Sequence, residues 1–102
     1  MAPIKYRPLP KFPSVFRDFA VLVPKGVEAG AVKAAIGMAD QRIVEVAFQS
    51  LYVGAGVPEG EKSLAWSVTL RDPARTLGES DVREVEERVW SAITGIGGRP
   101  RA

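Results

Sequence analysis

Apolar and polar positions along this 102-residue chain follow two different periods, and each change of period marks a new element. Arg17 to Pro24 reads as a first strand, apolar on both faces from Phe19 to Val23 as suits a central position, and Pro24-Lys25-Gly26 ends it. Val32, Ala35, Ile36 and Ala39 then recur at helical spacing and predict a short helix over about 28–39. Gly30 and Gly37 weaken that helix, which therefore depends on packing. Val44, Val46 and Phe48 alternate with Glu45, Ala47 and Gln49, the pattern of a half-buried strand running towards Tyr52. The segment 54–60, rich in glycine, is a long hairpin connection. Leu64, Trp66, Val68 and Leu70 alternate with Ala65, Ser67, Thr69 and Arg71, the clearest strand pattern in the chain. After Asp72-Pro73 a second helix begins near Glu79, with Val82, Val85, Val89 and Ile93 as its apolar stripe and Trp90 along one edge. Gly95 and Gly97 close it, and Gly98 to Ala102 leaves room for a very short strand.

The predicted order is strand, helix, strand, strand, helix, short strand. With right-handed crossovers this is an α+β, ferredoxin-like βαββαβ arrangement: a four-stranded antiparallel sheet with two helices on one face. In that topology the sheet order is 4-1-3-2, so the last strand lies antiparallel beside the first. Prolines at 3, 8, 10 and 13 exclude a regular helix or central strand before the first element, and residues 1–16 read as an extended arm of a single domain spanning 1–102. Pro100 is acceptable in the fourth strand because that strand is an edge.

Charge adds one feature. Lys5, Arg7, Lys11 and Arg17 precede the first acid, Asp18, and Arg99 and Arg101 lie at the other end. The middle of the chain is net −4 against +6 at its two ends. Pairing of the last strand with the first is expected to join Lys11, Arg17, Arg99 and Arg101 into one basic pole, a phosphate-binding surface on one reading and a means of solvating the ends on the other.

Composition narrows the chemistry. There is no cysteine, histidine or asparagine. Thiolate nucleophiles, zinc–thiolate sites and the usual neutral-pH general base are absent, so no catalytic residue, metal or cofactor is expected. The longest apolar run is too short to span a bilayer, and the basic, proline-rich start does not have the pattern of a secretory signal. A cytoplasmic protein without a membrane partner is the expectation.

The run Pro10-Lys11-Phe12-Pro13-Ser14-Val15-Phe16-Arg17-Asp18-Phe19-Ala20 resembles the opening of the ferredoxin-fold anticodon-binding domain that ends the β subunit of bacterial phenylalanine–tRNA ligase. Tyr52 and Gly54 at a strand end, Lys62-Ser63-Leu64-Ala65-Trp66, Asp72-Pro73-Ala74-Arg75-Thr76-Leu77 and the closing Arg101 are similar to that family in order and spacing. The chain departs from it at Ser50, where the family often has an acid, and at Ser67, where it often has arginine. It departs again at Val53, a commonly polar position, and at Gly78, where Thr or Ser usually caps the helix. The resemblance implies a module that binds the anticodon arm of phenylalanine tRNA beside the catalytic subunit or domains of the ligase, without being an enzyme itself.

On that implication Lys11, Arg17, Tyr52, Ser67, Thr69, Arg71, Arg75, Arg99 and Arg101 are the candidate RNA-binding residues. Several have a second reading. Arg17 either contacts RNA or holds the arm. Tyr52 either stacks on a base or packs at a strand end. Arg71 and Arg75 either reach phosphate or form a solvated pair beside Asp72. The sheet face carrying Ala47, Gln49, Ser67, Thr69 and Arg71 is polar and has no central aromatic, which argues against an RNA-recognition motif and suits recognition by hydrogen bonds and shape. A regulatory or subunit-interaction module on the same fold is the alternative.

Overall fold

The computed structural model describes residues 12–101. The elements run β1 (Val15–Pro24), α1 (Ala29–Met38), β2 (Ile43–Tyr52), β3 (Glu61–Leu70), α2 (Glu79–Gly95) and β4 (Arg99–Pro100). The sheet order is β2-β3-β1-β4 with every pair antiparallel, the ferredoxin-like topology expected from the periodicity. The first strand begins at Val15, so Val15 and Phe16 belong to the sheet and not to an arm; residues 12–14 precede it without regular structure, and residues 1–11 of the expected arm lie outside the described residues.

The register sets which side chains share a face. β1 and β3 pair without interruption from Val15↔Leu70 to Pro24↔Glu61. Strand side chains alternate between faces, so Phe19, Val21 and Val23 join Leu64, Trp66, Val68 and Leu70 under the helices, and all seven are buried. Val32 and Ile36 of α1 and Val82, Val85, Val89 and Ile93 of α2 close the core from above. Burying a side chain of this size is worth roughly 1.5–3 kcal/mol, and this layer is what holds the two helices to the sheet. Trp90 sits half-buried at the margin, its ring 5.4 Å from that of Phe19 in an edge-on arrangement.

β2 departs from simple alternation. Register shifts between Ile43 and Glu45 and between Phe48 and Ser50 each insert a residue. Ile43 pairs with Leu70 and Val46 with Val68, which leaves Val44 outside the expected inward set and exposed. Phe48 does face Trp66, with ring centroids 5.3 Å apart, but as an edge residue it stays half exposed.

The end of α2 positions β4. Gly97 has φ 86°, its N–H reaches Thr94 O at 3.0 Å, and Gly98 N–H reaches Ile93 O at 2.9 Å. This pair of bonds closes a helix on a left-handed residue, where glycine is favoured. A Cβ at Gly98 would lie 2.6 Å from Ile93 Cγ2 and 3.0 Å from Val23 Cγ1, so the chain passes against the core with no room for a side chain. Arg99 then pairs with Leu22 and Pro100 with Val21.

Candidate nucleic-acid interface

The face of the sheet away from the helices carries Phe16, Asp18, Ala20 and Leu22 from β1, and Ser63, Ala65, Ser67 and Thr69 from β3. Arg71 follows directly after β3. Arg99 and Arg101 flank β1 on one side, and Ser50 and Tyr52 flank β3 on the other. At about 3.3 Å per residue this surface is roughly 25 Å long from Ser63 to Arg71.

Its upper end is covered. The Arg101 guanidinium lies over the Tyr52 ring, 5.0 Å from the centroid, and the Tyr52 hydroxyl donates to Ala55 O at 2.9 Å. This contact reaches across β1 and β3, where Ala20, Ser63 and Ala65 are small. The Arg101 N–H donates to Ala20 O at 3.0 Å, which fixes the start of its side chain. Arg99 donates to both carboxylate oxygens of Glu61, at 2.9 and 3.0 Å. The result is that Leu22 and Ser63, on the nominally open face, are only 5% and 3% exposed.

The lower end is uncovered. Phe16 is 65% exposed and sits opposite Thr69; Asp18 is opposite Ser67. The Arg71 backbone N–H donates to Arg42 O at 2.9 Å. Among the described residues, neither Asp18 nor Arg71 has a side-chain ion pair. A strand that starts at Arg17, as the apolar pattern suggests, leaves Phe16 in the arm. Counting back by twos from Leu22 would have placed the ring on this face.

The expected basic pole does not form as such. Arg17 has the parity of Phe19 and points to the helix side, where its Nε lies 3.8 Å from Glu86 of α2. Arg99 and Arg101 are on the opposite face, and Lys11 lies outside the described residues. Alternation separates what chain proximity suggested would meet. Arg75 is also removed from the open face. It donates through both terminal nitrogens to Asp81 and is 4.0 Å from Asp72. The hydrogen bonds from Arg75, and then that from Gly78 N–H at 2.9 Å, hold the Asp81 carboxyl below its usual range. Since Gly78 has no side chain to cap α2, Asp81 supplies the reciprocal contact that a capping box would make.

Beside this cap lies an ion cluster that sequence spacing did not reveal. Asp40, with its side chain fully buried, accepts Arg42 Nε at 2.9 Å, Arg42 Nη2 at 2.8 Å, the Arg42 backbone N–H at 2.8 Å and Arg88 Nη1 at 2.7 Å. Arg42 and Arg88 both also reach Glu84, at 2.9 and 3.1 Å. The Arg42 hydrogen bonds chiefly, against the cost of burial, hold the Asp40 carboxyl far below the usual carboxylate range and raise Arg42 in turn. The cluster ties the α1–β2 connection to α2 and so fixes the helix layer.

Met38 and Val44 are exposed on the lining of a shallow, largely apolar groove of about 440 Å³ between α1 and β2, and Phe48 and Leu51 are exposed farther along β2. Among the described residues no group of acids could hold a metal ion, and no helix is long and apolar enough to cross a membrane.

Residues 10–101 match the ferredoxin-fold anticodon binding domain. The chain is 47% identical over 91 residues to the phenylalanine–tRNA ligase beta subunit of Geobacillus kaustophilus, a match covering 88% of this chain and 11% of that protein. It is 43% identical over 90 residues to the beta subunit from Moorella thermoacetica, covering 87% and 11%. With the beta subunit of Chromobacterium violaceum it shares 37% identity over 99 residues, covering 96% and 13%. The chain thus spans about a tenth of the length of these relatives and corresponds to an accessory region of the subunit. By fold, register and sequence alike, the chain belongs to the ferredoxin-fold anticodon-binding domain family.

Proposed function

We propose that this chain binds the anticodon arm of phenylalanine tRNA through the open face of its sheet, as a unit serving the catalytic subunit or domains of a phenylalanine–tRNA ligase. The observation that carries this reading is the placement of Arg101 and Arg71 at the two ends of that face. Neither has a carboxylate partner among the described residues, and Ser67 and Thr69 lie between them. Arg101 meets phosphate at the upper end, with Arg99 joining when it leaves Glu61. Ser67, Thr69 and Arg71 contact bases and the adjoining backbone. Arg17 and Arg75, engaged by Glu86 and Asp81, serve the fold in this reading.

The test is titration of the chain with phenylalanine tRNA and with the same tRNA carrying a swapped anticodon, at several salt concentrations. Phosphate contacts act through counterion release and carry no sequence information. Arg101→Ala is expected to weaken both tRNAs alike and to lower the slope of log affinity against log salt by about 1. Thr69→Ala or Arg71→Ala is expected to reduce discrimination between the two tRNAs. A change of anticodon preference in Arg101→Ala with an unaltered salt slope would show the assignments reversed. Unchanged affinity in every variant would instead favour a subunit-interaction module, for which the apolar groove between α1 and β2 is the supporting observation.

A further inference from the structure

We propose that Phe16 is a stacking platform for one unpaired nucleobase, the aromatic contact of the lower open face. This inference rests on the RNA-binding reading above and adds a residue and a mode of contact to it. The register places the ring directly opposite Thr69, with Ser67 as a diagonal neighbour, Asp18 next along its own strand and Arg71 just past the end of β3. Diagonal positions across an antiparallel pair are within reach of aromatic and long side chains. The ring is 65% exposed, so covering it removes apolar surface from water without displacing any part of the core.

The chemistry of its surroundings identifies the occupant. An apolar protein segment would need further apolar side chains around the ring, and the described residues across from it and next along the paired strands, Asp18, Ser67 and Thr69, are polar or charged. Among the described residues, the exposed Met38 and Val44 line a groove on the helix side, and Phe48 pairs with inward-facing Trp66. A nucleobase matches the local pattern: a flat π face for the ring, and a polar edge for Ser67, Thr69 and the Asp18 carboxylate. Asp18 repels phosphate, so it is the base and not the backbone that lies over Phe16. Arg71 has no carboxylate partner among the described residues and is placed to take the adjoining phosphate. A carboxylate accepts hydrogen bonds only, so bases with N–H donors on the exposed edge are favoured over those with acceptors alone. A paired base hides its face within the helical stack, which confines the contact to single-stranded nucleotides.

The test compares Phe16→Leu, Phe16→Trp and the unaltered chain in binding a synthetic anticodon stem-loop and a fully paired duplex of equal length. Stacking on an aromatic side chain supports a loss of roughly 5- to 100-fold for Phe16→Leu on the stem-loop. Phe16→Trp is expected to retain affinity. The salt slope is expected to stay the same in both variants, and duplex affinity to be unchanged. Unfolding midpoints measured alongside report whether either variant has altered the fold; Phe16→Trp retaining affinity while Phe16→Leu loses it separates stacking from a structural role. Phe16→Leu binding the stem-loop as tightly as the unaltered chain would overturn the stacking assignment and leave the RNA reading intact. So would an equal loss on stem-loop and duplex. Failure of the unaltered chain to bind the stem-loop at all would overturn both.

Discussion

At the end of the sheet where Ile43 and Leu70 pair, Arg42, Arg75 and Arg88 are each held by carboxylates, whereas on the open face Arg71 and Arg101 have none among the described residues. The two sets have the same side chain and opposite roles. In the first, the guanidinium fork is used up by a buried or capping acid and its work is to join α1, β2 and α2. In the second, no carboxylate among the described residues takes the charge, which on the proposed function is left for RNA, and the ring under Arg101, that of Tyr52, is one that a base could replace. Net charge by itself does not separate the sets. The position of each arginine relative to a carboxylate does.

The largest effect is expected from breaking the carboxylate-held set. Asp40→Asn removes the charge that both Arg42 and Arg88 face, and loss of one partner from a buried ion cluster costs about 3 kcal/mol. Chemical denaturation near pH 7 measures it, and RNA affinity of the folded variant should be unchanged. The acid limb sharpens the assignment. Asp40 has a depressed folded-state pKa, so its contribution is fully present above the unfolded value of about 4. It is lost as pH falls from there towards the folded value. The unaltered protein should therefore lose stability faster than Asp40→Asn on acidification below about pH 4, and the gap between them should narrow.

A smaller effect is expected from disturbing the other set at its root. Gly98→Ala forces a methyl group against Ile93 and Val23 and should cost about 1–3 kcal/mol. Unlike Asp40→Asn, it should also weaken tRNA binding at temperatures where the variant is fully folded, because it displaces the strand that carries Arg99 and Arg101. Equal tRNA affinity in folded Gly98→Ala would break the link between the core and the open face.

The smallest effect tests the layer between the two regions. Trp66 is 1% exposed, and among the described residues its indole N–H has no hydrogen-bond partner. An orphaned buried donor costs roughly 1–3 kcal/mol. Trp66→Phe removes that penalty while losing ring volume, so thermal unfolding should place it within about 1 kcal/mol of the unaltered chain, with RNA binding untouched.

What was legible in the sequence follows from which interactions are local. The α2 stripe Val82, Val85, Val89 and Ile93 and the β3 alternation around Trp66 depend on period alone, and both are buried as read. The bulges in β2 were not legible, because nothing in the apolar pattern distinguishes Val44 from Val46. The basic pole was misread for a related reason. Arg17 meets Glu86 and Arg99 meets Glu61 across long stretches of chain, and only the folded register decides which acids meet which bases. Phe16 was within reach of sequence reasoning but was cut off by a strand boundary set two residues too late.

β4 is two residues long and lies at the margin of the sheet, held by its pairing with Leu22 and Val21 and by the Arg101 N–H to Ala20. So short a segment opens locally at a free energy well below that of global unfolding, and the Arg101 amide bonded to Ala20 should exchange with solvent far sooner than the amides of β1 and β3. Tyr52 and Arg101 therefore meet and part many times within the lifetime of one folded molecule. The cover over the upper open face is then a tether that lets go and returns, and on the proposed function an arriving RNA competes with that brief contact and with the Arg99–Glu61 pair.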